Sequence, residues 1–119
     1  PQQQQQRRQQ QQQQQHQHDG QDVSTAMSYN NIALIYFANK DFEKALDYDR
    51  QSLAIREKEL GIAHADTRET YLKLATTTMQ MGDPAGNKKW LRKIDVAENE
   101  LKKIDKLQAK TKTKAKTKA

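Results

Sequence analysis

TAMSYNNIALIYFANKD (residues 25–41) and TRETYLKLATTTMQMGD (residues 67–83) stand 42 residues apart and share one pattern. Thr25 pairs with Thr67, Tyr29 with Tyr71, Ala33 with Ala75 and Asp41 with Asp83. Ile32 pairs with Leu74. Further on, Tyr48 pairs with Trp90 and Arg50 with Arg92. The matched sites are small, aromatic and capping residues, the positions a repeat needs. Ala33 and Ala75 fall in mid-helix, where a small side chain lets a neighbouring helix approach closely. Period and placement together argue for a solenoid of helix pairs.

Working outward, apolar spacing predicts four helices and no strands. The first spans residues 24–39, with Tyr29, Ile32, Ala33, Tyr36 and Phe37 on its stripe. The second spans residues 42–60, capped by Asp41 and stopped by Gly61. Leu46, Leu53 and Leu60 lie seven apart on it, with Ala45, Tyr48 and Ile55 beside them. The third spans residues 67–81, with Asp66 and Glu69 as a capping box and Gly82 as its end. Tyr71, Leu72, Leu74, Ala75 and Met79 are its apolar positions.

Asp83-Pro84 then starts a fourth helix reaching to about Leu107, although Gly86 weakens that start. Trp90 and Leu91 open this helix. Ile94, Ala97, Leu101, Ile104 and Gln108 follow as a coiled-coil-like seam. Short loops force antiparallel neighbours. The expected fold is all-α: two stacked antiparallel helical hairpins, an α-solenoid with disordered tails. The repeats fall at about 24–63 and 66–101.

The stretch Asn31-Ile32-Ala33-Leu34-Ile35-Tyr36, then Asp41-Phe42-Glu43-Lys44-Ala45, then Ser52-Leu53-Ala54-Ile55-Arg56-Glu57-Lys58-Glu59-Leu60-Gly61, closed by Ile62-Ala63-His64-Ala65-Asp66-Thr67, resembles a tetratricopeptide repeat. It is most similar to the long subtype of kinesin light chains. The resemblance is specific over residues 24–67 and weaker over 68–97. Asp49 stands where that family carries an aromatic residue, Ser52 where it has Ala, and Ala65 where it has Pro. In the second repeat, Asn87 replaces a packing Ala and Thr78 a Tyr. That repeat reads as degenerate and terminal.

The resemblance implies a protein-interaction scaffold without catalytic chemistry. It also implies a peptide groove lined by the first helix of each pair. By register, the groove positions are Met27, Asn30, Asn31, Leu34 and Phe37, then Glu69, Leu72, Lys73, Thr76 and Met79. Asparagine suits such a groove because it both donates to and accepts from an extended backbone. The expected role of His64, which matches the family's linker histidine, is packing between repeats.

Around this core the chain changes character. Only 34% of its residues are hydrophobic and 30% are charged. Residues 1–21 are a Gln-rich, polyglutamine tract that cannot offset backbone ordering by apolar burial. Residues 22–101 hold 11 basic and 13 acidic residues, whereas residues 102–119 hold eight Lys and one Asp. The basic charge therefore belongs to the tail. The start of that tail continues the last helix, and beyond Lys110 it has no apolar face and is expected to be disordered.

Lys110, Lys112, Lys114, Lys116 and Lys118 are candidates for polyanion contact with nucleic acid, acidic lipid or a microtubule surface, the alternative function. Self-association through Ile94, Leu101 and Ile104 of the last helix is a further expectation. No Cys is present, and His16 and His18 alone make no four-ligand site, so no metal or cofactor is expected. No phosphate-cradling Gly loop or nucleophile motif appears. The longest apolar run is too short for a membrane span. The expected location is cytoplasmic. Pro1 in place of an initiator Met points to a piece of a longer product.

Overall fold

Asp41 ends one helix and begins the next. Its backbone N–H donates to Tyr36 O at 2.9 Å, and Lys40 N–H to Phe37 O at 3.0 Å, the paired bonds of a Schellman stop. The Asp41 carboxylate then accepts from Lys44 N–H at 3.4 Å as the next N-cap. The second hairpin repeats this turn 42 residues on. Asp83 N–H donates to Thr78 O at 2.9 Å, and Gly82 N–H to Met79 O at 3.1 Å. Asp83 then caps Gly86 N–H at 3.0 Å.

The computed structural model describes residues 22–117, with side chains through residue 112. It holds four helices: α1 (Val23–Ala38), α2 (Phe42–Leu60), α3 (Ala65–Gln80) and α4 (Pro84–Thr117). No strand occurs among the described residues. The principal helix contacts are sequential: α1 with α2, α2 with α3, and α3 with α4. The Gln-rich tract expected to be disordered lies outside the described residues.

Each hairpin is fastened by an aromatic pair at equivalent positions. Tyr29 faces Tyr48 with ring centroids 6.1 Å apart, and Tyr71 faces Trp90 at 6.3 Å. Small residues let the helices close: Ala26, Ala33, Ala45, Ala75 and Ala97 are all buried. The main core joins Leu46 and Leu53 of α2 to Tyr71, Leu74 and Ala75 of α3, and to Trp90 and Ala97 of α4. Leu72, Met79 and Leu91, expected on apolar stripes, are instead exposed.

Three local expectations need correction. No Asp66–Glu69 capping box forms. α3 starts at Ala65 because His64 Nδ1 accepts from Asp66 N–H at 3.1 Å. His64 is thus an exposed N-cap and does not pack between repeats. Gly86, read as weakening α4, has a steric reason. A Cβ there would run into the Asp83 carboxylate that caps the helix.

The third correction concerns the tail. α4 continues to Thr117, beyond the point where its apolar stripe ends. Lys and Ala are good helix formers, and no Gly or Pro interrupts residues 87–119.

The two turns differ in one costly respect. Gly82 takes φ +71° freely, while its equivalent Lys40 is forced to φ +63°. A side chain in the left-handed region costs about 1–2 kcal/mol, against the smaller entropy cost of Gly. Lys40→Gly is therefore expected to stabilise the fold by about 0.5–1 kcal/mol, read as a rise in the urea midpoint at unchanged m-value.

Candidate functional site

α1 and α3 diverge enough to leave a cleft of about 340 Å³ between them. Ala33, Leu34 and Phe37 of α1 form one wall, and Glu69, Leu72, Lys73, Thr76 and Thr77 of α3 form the other. Asp49 reaches in from α2. Leu34 and Leu72 are 58% and 56% exposed, so the cleft offers apolar surface to a ligand. Glu69 and Lys73 pair across one turn of α3 at 3.5 Å and set polar groups along that wall.

Six of the ten sequence candidates line this cleft: Leu34, Phe37, Glu69, Leu72, Lys73 and Thr76. Met27, Asn31 and Met79 are exposed but do not line it. Asn30 departs furthest from the expectation of a groove-facing amide. It is only 3% exposed and points into the interface between the repeats. Its amide orientation follows from its neighbours. The nitrogen donates to Asp49 Oδ1 at 2.9 Å and Ser52 Oγ at 3.0 Å, and the oxygen accepts from the Arg56 guanidinium.

That guanidinium organises the interface. Arg56 is 6% exposed, and its Nη1 donates to Asp66 O at 3.1 Å and Thr70 Oγ1 at 2.9 Å. Thr67 Oγ1 donates back to Arg56 O at 3.3 Å. Asn30, Asp49, Ser52, Thr67 and Thr70 are buried around it. Sequence reasoning missed Asp49 as a cleft residue. The signal was its presence where the related repeats carry an aromatic side chain.

Burial pushes the Asp49 carboxyl up from 3.8 to about 6, while Lys73 and then Arg56 pull it partly back. The Tyr71 phenol is also pushed up, first by burial and then by the Glu57 charge.

The polyanion candidates lie far along α4. Lys110 and Lys112 are exposed there. Lys114 and Lys116 are on the helical backbone, and Lys118 lies outside the described residues. Among the described residues, no cluster of three or more His, Cys, Asp or Glu could hold a metal ion. No helix there is long and apolar enough to cross a membrane.

The family model for the tetratricopeptide repeat matches residues 24–86, more than half of the chain. The chain belongs to the tetratricopeptide repeat family. Tetratricopeptide repeats generally mediate protein–protein interactions. Comparison with curated proteins and with solved structures returned no match.

Two outcomes test this site. Between about pH 4 and pH 6 the folded state keeps the Asp49 proton that the unfolded chain has released. Stability from this group therefore falls as pH rises through that window. Asp49→Asn is expected to flatten that fall in urea midpoints taken from about pH 4.5 to about pH 7.5. Arg56→Ala leaves buried partners unpaired and is expected to cost about 3 kcal/mol in the same assay.

Proposed function

We propose that this repeat array is a non-catalytic scaffold that holds an extended segment of a partner protein in the α1–α3 cleft. The observation that carries the reading is the convergence of Leu34 and Phe37 with Leu72 and Thr76 across one open cleft. Leu34, Phe37 and Leu72 suit an apolar side chain of the ligand. Glu69 and Lys73 beside them can meet its backbone or flanking charges. The 42-residue spacing and the linker carrying His64 support placement with the long subtype found in kinesin light chains.

The test is a peptide-array screen followed by titration of a hit into the isotopically labelled chain. Shifts at Leu34, Phe37 and Leu72 are expected. Leu34→Asp and Leu72→Asp, both at exposed positions, should each weaken the hit at least about tenfold, or about 1.4 kcal/mol, with helicity unchanged. A screen without hits, or binding indifferent to both substitutions, would overturn the proposal.

A further inference from the structure

A buried carboxylate opens onto the α1–α3 cleft. Asp49 is only 3% exposed, yet it lines that cleft together with Leu34, Phe37 and Leu72. Packing accounts for little of its chemistry. Among the described residues, the one hydrogen bond drawn to it comes from the Asn30 amide, at 2.9 Å on Oδ1. A neutral Asn could accept that bond without burying a charge, and the equivalent position of the second repeat holds Leu91. A carboxylate has about four acceptor sites, so most of its capacity is unused.

No cation neutralises Asp49 by contact. The charged groups that face it are Arg56 on α2 and Glu69 and Lys73 on α3, while α1 brings only Ala33, Leu34 and Phe37 to the cleft. Arg56 directs its terminal nitrogens to Asn30, Thr70 and the Asp66 carbonyl. Lys73 Nζ lies 3.5 Å from Glu69 Oε1. Both cations draw the Asp49 carboxyl down, and burial still holds it at about 6. Within the cleft lining, two carboxylates stand against one ammonium.

The other polar groups of the lining are acceptors too. Thr76 Oγ1 donates to Leu72 O at 2.9 Å, and Thr77 Oγ1 to Lys73 O at 2.8 Å. Their protons are committed to the helix, so each hydroxyl offers a ligand only lone pairs. Apolar walls beside a set of acceptors fit a ligand group with a long aliphatic stem and a cationic, donor-rich head. Lysine and arginine have that form. Because the fold has already taken Asp49 out of water, part of the desolvation that opposes a buried ion pair is complete before the ligand arrives.

We propose that the partner segment held in the cleft carries a lysine or arginine, its stem lying along Leu34, Phe37 and Leu72 and its head seated on the Asp49 carboxylate. The inference rests on the peptide reading of the cleft and adds a charge selectivity to it: basic segments are held and acidic ones are refused. Binding is then linked to pH. As pH falls through about 6 the carboxyl takes up a proton, the site loses its charge, and affinity for the basic segment falls.

The test scores the peptide-array hits by composition and titrates one hit into the full chain by calorimetry. Hits are expected to share a Lys or Arg beside an apolar residue. Replacing that Lys by norleucine, or Arg by citrulline, removes the charge without touching the protein and should weaken binding at least about tenfold. Asp49→Asn keeps an acceptor for Asn30. It should weaken the charged peptide by a similar factor and leave the uncharged one unchanged, with helicity preserved. Going from about pH 7.5 to about pH 5 should weaken the charged peptide roughly tenfold on the unaltered chain and leave Asp49→Asn indifferent. Hits that need Leu34 and Leu72 but carry no Lys or Arg, or that ignore Asp49→Asn, would overturn this inference and leave the peptide reading standing. Acidic hits that are lost on Lys73→Gln would do the same. An array without hits would overturn both.

Discussion

A guanidinium buried between two repeats governs how this array is assembled. Arg56 sits at 6% exposure, and removing such a group from water costs several kcal/mol unless its donors are satisfied. Here the two terminal nitrogens reach the Asn30 amide of α1 and the Thr70 hydroxyl and Asp66 carbonyl of α3, while the buried Nε is left without a partner. One side chain of α2 therefore ties together helices from both hairpins. Apolar contact could slide by a turn, whereas directional hydrogen bonds admit one registration.

The cleft inherits its shape from that registration. Asp49 accepts from Asn30 and also faces the cleft, so a polar group of the interface forms part of the cleft lining. Burial holds its carboxyl pKa above the ordinary carboxylate value. The leucines on either side remain open because the hydrogen-bonded layer beneath them already holds α1 and α3 at their spacing.

Within each hairpin the two repeats are built alike; between repeats they are not. The Schellman turns at Lys40 and Gly82 and the aromatic pairs Tyr29–Tyr48 and Tyr71–Trp90 recur at the same offset. The outward faces diverge, from Asn30, Asp49 and Ser52 to Leu72, Leu91 and Ile94. Thr78 and Asn87, which depart from the family pattern, are accommodated by hydrogen bonds to Ala75 O at 2.9 and 2.7 Å. Local pairing was kept while the stacking surface changed.

The sequence by itself determined the four helices, their order and the 42-residue repeat, because periodicity, caps and glycine stops act within a few residues of chain. The resemblance to a tetratricopeptide repeat also named six residues that line the α1–α3 cleft. Only the tertiary structure decided that Asn30 turns inward, because its neighbours Asp49, Ser52 and Arg56 are 19 to 26 positions away in the chain. His64 became a cap for a similar reason: the path of the linker, rather than the Asp66–Glu69 spacing, sets where α3 begins. The exposure of Leu72, Met79 and Leu91 was equally out of reach. An apolar stripe shows which face of a helix seeks a partner, and packing alone shows whether one is there.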